Sequence, residues 1–444
     1  MTSTLSNNPI LRIVVLCILY CAQGIPHGFV TIALTAWLIE QLPDMLTPLE
    51  KTKAVAVVVT ASILPWTFKW AWGPAIDRFQ IRAYGKRRPW ILFAQSMMIL
   101  TALGLLLIPN PVEAIWTLAT VVAIHNVFSG LQDVSVDALA VDLLRPEERG
   151  RANGLMYGTK FLGTSIGAAG LGYILANSGF AAAVLLMAGM LAAIMCVPLF
   201  IRERPGEQLL PFKRNATGHL VSHARDAEEG SANASLLQLT LRLFRAFGRR
   251  NTLIAAILAL VIWIPNGLVY PRAMTLFIDE LGWTQEAYTS ITGTFGVIAG
   301  LIGAVVGGFI ADLIGPRKVA AIASVLFGCL LGFFAIAPES LWENTTFVSF
   351  YLVAKQGLQG LLSVALFSIF MSVSWKIVAA TQFTAYMSLL NLSYSLGTAY
   401  SPSFDEVLGV RNVFLLAGIF QILVIVLLPF CNPWKGQSEP TKPS

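Results

Sequence analysis

Apolar residues run along this chain in blocks too long for a soluble core, separated by short polar breaks. A helix that crosses the hydrocarbon layer needs about 20 apolar residues. Twelve blocks meet that length, near 11–38, 53–76, 90–108, 112–142, 151–176, 180–201, 252–278, 286–311, 318–337, 345–373, 380–401 and 411–431. Backbone groups in lipid must be satisfied within their own segment, so each block is read as a helix. The first block continues through Pro26 and is too long for a cleaved leader, so it counts as a membrane helix.

Lys and Arg mark the breaks unequally. The second break holds Arg78, Arg82, Lys86, Arg87 and Arg88, and the fourth holds Arg145, Arg149 and Arg151. The sixth carries Arg202, Arg204, Lys213, Arg214, Arg225, Arg242, Arg245, Arg249 and Arg250, and the eighth Arg317 and Lys318. The alternate side has only Lys51, Lys53 and Arg411. The positive-inside rule then places the even breaks and both termini in the cytoplasm.

The two halves repeat. Ile25-Pro26-His27-Gly28 in helix one returns as Ile264-Pro265-Asn266-Gly267 in helix seven, and Gly73-x-x-x-Asp77 after helix two as Gly308-x-x-x-Asp312 after helix eight. Both halves start on the same side, which makes them parallel repeats. The expected architecture is an all-α membrane protein with 12 transmembrane helices in two parallel six-helix repeats. Residues 1–201 form the N-terminal bundle, 202–250 a cytoplasmic linker, 251–431 the C-terminal bundle and 432–444 a cytoplasmic tail. Within the linker, Leu236–Phe247 reads as a basic amphipathic helix on the inner leaflet.

Composition narrows the class. Charged residues make up 12%, where a soluble domain carries roughly 25%. Mean hydropathy is +0.70. The net charge of +6 resides in short loops, so it sets topology and does not point to a nucleic-acid partner. Cys17, Cys21, Cys196, Cys329 and Cys431 sit in or at the end of apolar runs with no ligand or disulfide spacing. No Gly-x-x-x-x-Gly-Lys-[Ser/Thr] loop supports ATP hydrolysis, and neither a nucleophile elbow nor a paired acid site suggests an enzyme. No cofactor or metal is expected.

The loop after helix eight, Gly308-x-x-x-Asp312-x-x-Gly315-x-Arg317-Lys318, and the one after helix two, Gly73-x-x-x-Asp77-Arg78 then Gly85-Lys86-Arg87-Arg88, resemble the major facilitator loop motif. The first copy has a longer spacer. Pro65-x-x-x-Lys69-x-x-Trp72-x-Pro74, Gln132-Asp133-x-x-x-Asp137 and Arg145-Pro146-Glu147-Glu148-Arg149-Gly150 resemble the peptide–acetyl-coenzyme A transporter branch of that superfamily. That branch includes AmpG-type muropeptide permeases, acetyl-CoA transporters and siderophore importers. The resemblance implies a secondary transporter, a permease that takes an anionic solute. In the loops, Asp77, Arg78, Arg87, Arg88, Asp142, Asp312 and Arg317 are expected to form a cytoplasmic gate that pairs in one state and separates in the other.

Ionisable residues at membrane depth mark a pathway by default. Counting about 1.5 Å per residue, Lys69, Asp133 and Lys160 lie ~12–17 Å from the basic ends of their helices. Asp133 and Asp137 share a helix face. Lys355 falls near the midplane, with Arg272 nearer the opposite end and no acid in sequence to pair with either. Lys355-Gln356 aligns with His125-Asn126 when Gly130 and Gly360 are superposed. Lys69, His125, Asn126, Gln132, Lys160, Arg272, Lys355 and Gln356 are therefore expected to bind substrate, and an excess of cations over acids calls for an anion. Asp133, the deeper acid, and Asp137 are the expected proton carriers. His27 beside Pro26 is a further possible site residue. Gly163, Gly167, Gly170 and Gly172 form a small-residue face suited to bundles that rock against each other.

The reading is thus a proton-coupled importer of an anionic, muropeptide-like solute, a monomer in a bacterial inner membrane. A siderophore or drug exporter, an acetyl-CoA transporter and a non-transporting receptor are the alternatives.

Overall fold

A computed structural model describes residues 4–79, 81–145, 148–209, 248–374 and 379–431. The amphipathic stretch expected in the linker, the tail 432–444, and Pro146 and Glu147 lie outside them, as do the side chains of Asp77, Arg78, Arg149 and Arg151. All regular structure among the described residues is helical.

Ten helical stretches are long and apolar enough to cross a membrane. Two of them, Gly154–Phe200 and Gln382–Phe430, are broken by one glycine each. Gly179 has φ 85° and ψ 174°, and Gly409 has φ 73° and ψ 161°. L side chains rarely adopt that backbone, so a single glycine makes each reversal. The described residues thus hold twelve helices of this kind. The helices are α1 (Pro9–Gln41), α2 (Pro48–Ala71, helical on to Arg78), α3 (Arg88–Leu107), α4 (Ile115–Leu143), α5 (149–178) and α6 (180–200). The second set is α7 (Arg250–Glu280), α8 (Gln285–Ile314), α9 (Pro316–Ile336), α10 (Thr345–Val373), α11 (379–408) and α12 (410–430).

The halves match in backbone detail. Gly85 (φ 112°) and Gly315 (φ 91°) close the α2–α3 and α8–α9 turns, so the second glycine of each loop motif is demanded by conformation. A Cβ on Gly267 of α7 would lie 2.4 Å from the Tyr394 carbonyl of α11, and one on Gly28 of α1 would lie 2.1 Å from the Thr164 carbonyl of α5. The pairs α1–α5 and α7–α11 therefore pack backbone to backbone through small residues.

The expected rocking surface on α5 needs correction. Gly163 and Gly167 meet Cys21 and Ile25 of α1, inside their own bundle. Toward the other bundle, Gly172 meets Thr289 of α8, and a Cβ on Gly293 of α8 would lie 2.6 Å from the Ala168 Cβ, so the same stretch of α5 also packs between bundles. Small residues serve close approach wherever it occurs, and here the closest approach is within a bundle.

The face with loops 42–47, 108–114, 281–284 and 337–344 is the lean face, and the face bearing the Arg- and Lys-rich loops is the basic face. The bundles meet chiefly in the lean half. Lys51 of α2 pairs with Asp279 of α7, Thr52 bonds Thr275 at 3.0 Å, and Lys53 lies 3.6 Å from Glu406. Gln285 of α8 donates to the Gly172 carbonyl at 2.9 Å. Short π-helical turns at Phe29–Leu34, Ile166–Gly170, Leu276–Glu280 and Ile291–Gly296 lie in α1, α5, α7 and α8. Such turns widen a helix locally and often occur at functional positions.

Candidate functional site

The site begins with an irregularity in α2. Leu64–Ala71 is a 3-10 run that follows Ile63 and opens with Pro65. Proline lacks an N–H and disrupts the α ladder. Three residues per turn eclipse positions i and i+3, so Trp66 and Lys69 stand on one side. Trp66 Nε1 donates to Asn126 Oδ1 of α4 at 2.9 Å. One turn along, Lys69 Nζ reaches Asp133 Oδ2 at 2.8 Å.

Asp133 serves a second cation. Lys160 Nζ of α5 lies 3.9 Å from Asp133 Oδ1 and 5.1 Å from the Trp66 ring centre. Its side chain is 29% exposed, against 14% for Lys69 and 5% for Asp133. Lys160 is therefore the accessible member of the group. Asp137, one turn below Asp133, accepts a hydrogen bond from the Tyr20 hydroxyl of α1. The Tyr20 ring packs edge-on against Tyr157 of α5 at 5.9 Å. Lys69, Asp133, Asp137 and Lys160 thus form a quartet with equal numbers of acids and bases.

The quartet borders the other bundle. Tyr157 meets Phe367 of α10 at 6.3 Å, and Asn391 of α11 donates to the Trp66 carbonyl at 3.4 Å. Tyr157 and Lys160 are three apart on α5 and share a face. Tyr157 brings that face of α5 against α10 of the other bundle.

A second cation sits in the C-terminal bundle. Lys355 of α10 is 6% exposed and its Nζ stands 5.4 Å from the Tyr270 ring centre. Among the described residues it has no carboxylate at ion-pair distance. A cation over an aromatic face gains modest electrostatic attraction. Tyr270 packs against Tyr394 at 6.0 Å and donates to the Thr31 carbonyl of α1 at 2.5 Å. Lys355 is thereby tied to a contact that joins the bundles.

Several expected site residues lie elsewhere. Arg272 does not lack partners: its guanidinium lies 2.6 Å from Glu280 and 2.9 Å from Asp405 of α11. These acids are distant in sequence or beyond the end of the apolar block, so spacing gave no hint of them. The broad cation excess thereby reduces to Lys355. His125 turns to Thr101 of α3, with Nδ1 2.9 Å from its hydroxyl, inside the N-terminal bundle. Gln132 donates to the Leu19 carbonyl of α1 at 3.1 Å and is fully buried. Asn126 orients Trp66, and the Gln356 side chain lies along Gly296 of α8. The repeat equivalence of His125-Asn126 and Lys355-Gln356 therefore does not extend to shared surroundings. His27 of α1 is within electrostatic reach of Lys160.

The expected gate also divides differently. Arg87 pairs with Asp142 at 2.9 Å and Lys86 with the same acid at 3.3 Å, both within the N-terminal bundle. Arg88 is buried and donates to the carbonyls of Tyr84, Pro198, Leu199, Gln208 and Leu209. It anchors the start of the linker and does not face the mouth. Glu203, unremarkable in sequence, accepts from the backbone N–H groups of Lys86, Arg87 and Arg88, which caps α3. Asp312 is exposed.

Comparison with known proteins follows this architecture. Residues 16–303 and 272–443 match the family model described as Major Facilitator Superfamily. The anhydromuropeptide permease of Escherichia coli (strain K12) is 24% identical over 434 residues, 95% of this chain and 80% of that protein. A Rickettsia felis protein named as transporter AmpG 4 is 22% identical over 433 residues, 95% of this chain and 96% of that one. The crystal structure of a D-xylose–proton symporter superposes with a TM-score of 0.72 at 12% identity, covering 96% of this chain and 98% of the other. A POT family transporter in complex with 5-aminolevulinic acid gives 0.68 at 14% identity, covering 94% and 95%. At such identities the structural likeness is one of fold.

Proposed function

The chain belongs to the major facilitator superfamily, and on that premise we propose that it is a proton-coupled importer of an anionic, muropeptide-like solute. It is a multi-pass membrane transporter and not an enzyme. The solute class rests on likeness to the anhydromuropeptide permease together with the cations at the bundle interface. The single observation that carries the reading is the quartet: two acids and two lysines within apolar helices, with Lys160 the more exposed of the lysines.

By the positive-inside rule the basic face is cytoplasmic. The cross-bundle bonds of Lys51, Thr52, Lys53, Tyr270 and Gln285 then hold the outer half together. Secondary transport needs a second state in which those bonds part. Lys160 and Lys355 supply positive charge in different bundles, and each would take a different carboxylate of a solute that carries more than one. The experiment is uptake of a radiolabelled anhydromuropeptide into right-side-out vesicles. Accumulation that collapses with a protonophore supports the reading. Uptake equal to that of vesicles lacking the protein refutes the solute class, and uptake indifferent to the protonophore refutes proton coupling.

A further inference from the structure

We infer that Asp137, and not Asp133, carries the coupling proton, and that it loads together with a substrate carboxylate taken up by Lys160. This rests on the proton-coupled reading above and assigns its chemistry to particular atoms.

The two acids have different partners. Asp133 is held by Lys69 at 2.8 Å and Lys160 at 3.9 Å. Asp137 has no Lys or Arg at ion-pair distance among the described residues, and its bonded partner is the neutral Tyr20 hydroxyl. The groups facing it from each packed element are Tyr20 of α1, Lys69 of α2, Asp133 of its own helix, and Tyr157 and Lys160 of α5. A carboxylate gripped by two ammonium groups has little use for a proton. One bonded to a phenol, with a second acid a turn away, can take a proton without losing an ion pair.

Charge balance then dictates order. With both acids ionised and both lysines protonated the empty quartet is neutral. Lys160 is the loosely held cation, at the longer distance and with the more exposed side chain. A substrate carboxylate that pairs with Lys160 adds one negative charge to a buried cluster. An uncompensated buried charge is costly. A proton from water that bonds to a carboxylate oxygen of Asp137 cancels it. Neutrality thus favours loading the anion and the proton together and releasing them together, with the O–H bond formed on one side and broken on the other. Tyr20 holds Asp137 in place throughout and is a positioning residue.

Purified protein in weakly buffered solution with a pH-indicator dye reads this directly. On adding an anhydromuropeptide, the wild type should take up about one proton per ligand bound, as linkage between ligand and proton requires. Asp137→Asn, a fixed neutral mimic of the protonated acid, should bind the ligand with no proton uptake. In proteoliposomes the same variant should lose accumulation driven by a pH gradient while retaining exchange of labelled for unlabelled solute. The exchange readout separates a lost proton site from a misfolded protein. If Asp137→Asn takes up the same proton as wild type, or still accumulates solute on a pH gradient, the assignment is overturned. If the wild type binds ligand without any proton uptake, proton coupling fails and the assignment falls with it.

Discussion

Lys51 of α2 and Asp279 of α7 form an ion pair across the two bundles, with the lysine almost fully enclosed. Thr52 and Thr275 bond beside it at 3.0 Å.

Its burial across the two bundles makes Lys51 a latch. Breaking one partner of a buried pair leaves an uncompensated charge and costs several kcal/mol, and each 1.4 kcal/mol is about tenfold in a conformational ratio. Lys51→Ala should therefore open the lean face. Labelling of Thr275→Cys by a membrane-impermeant maleimide from that side should rise at least tenfold over the same cysteine in an otherwise unaltered chain. The swap Lys51→Asp with Asp279→Lys should bring labelling back. Labelling that ignores both changes would remove the latch from the account.

Packing gives a second prediction. Gly267→Ala forces a methyl to within 2.4 Å of the Tyr394 carbonyl, and both sides of that contact are backbone. Overpacking of this kind costs roughly 1–3 kcal/mol, seen as a lower Tm in detergent. Gly332→Ala, where a Cβ meets nothing within 4 Å, should leave Tm unchanged. Equal shifts in the two would mean that α7 and α11 do not pack as described.

Glu148 provides a pH dependence outside the membrane-spanning segments. Its carboxylate is 2.5 Å from the Arg12 guanidinium, and that hydrogen bond holds its pKa below the usual carboxylate value. A depressed folded pKa gives stability that is present above the unfolded pKa of about 4.3 and lost as pH falls through the folded value. Wild type should melt above Glu148→Gln at pH 7, with the difference vanishing as pH falls well below 4. A gap that widens on acidification would contradict the sign.

Lys355 tests the price of a buried, unpaired cation. Removing a charge that lacks a carboxylate should not harm folding, since hydrophobic replacement of buried charges is often neutral or stabilising. Lys355→Met should keep or raise Tm while KM for an anhydromuropeptide rises at least several-fold. An unchanged KM would show that Lys355 does not touch the solute.

Helix count and the two-fold repeat could be read from the residues. Lipid imposes a minimum run length, and glycine spacing survives wherever backbones touch, as at Gly85 and Gly315. Pairing could not be read so easily. Arg272 and Lys355 look alike in sequence, yet Asp405 on a distant helix neutralises one and nothing described neutralises the other. Tyr20 and Trp66 look like ordinary lipid-phase aromatics until the fold aims a hydroxyl at Asp137 and an indole N–H at Asn126. Arg88 belongs to a basic cluster by composition, but five backbone carbonyls draw it inward. The three-helix meeting of α2, α4 and α5 at Asp133 is a tertiary fact.

Lys160 bears most of the weight, because it is the more exposed of the two quartet lysines and the one that an anionic solute would engage. Initial rates of pH-gradient-driven anhydromuropeptide uptake should be compared in proteoliposomes of wild type and Lys160→Gln at matched protein density and Tm. The account predicts a fall of at least tenfold, the scale of about 1.4 kcal/mol for one lost charge-assisted contact. Wild-type rates and wild-type KM in Lys160→Gln would contradict it.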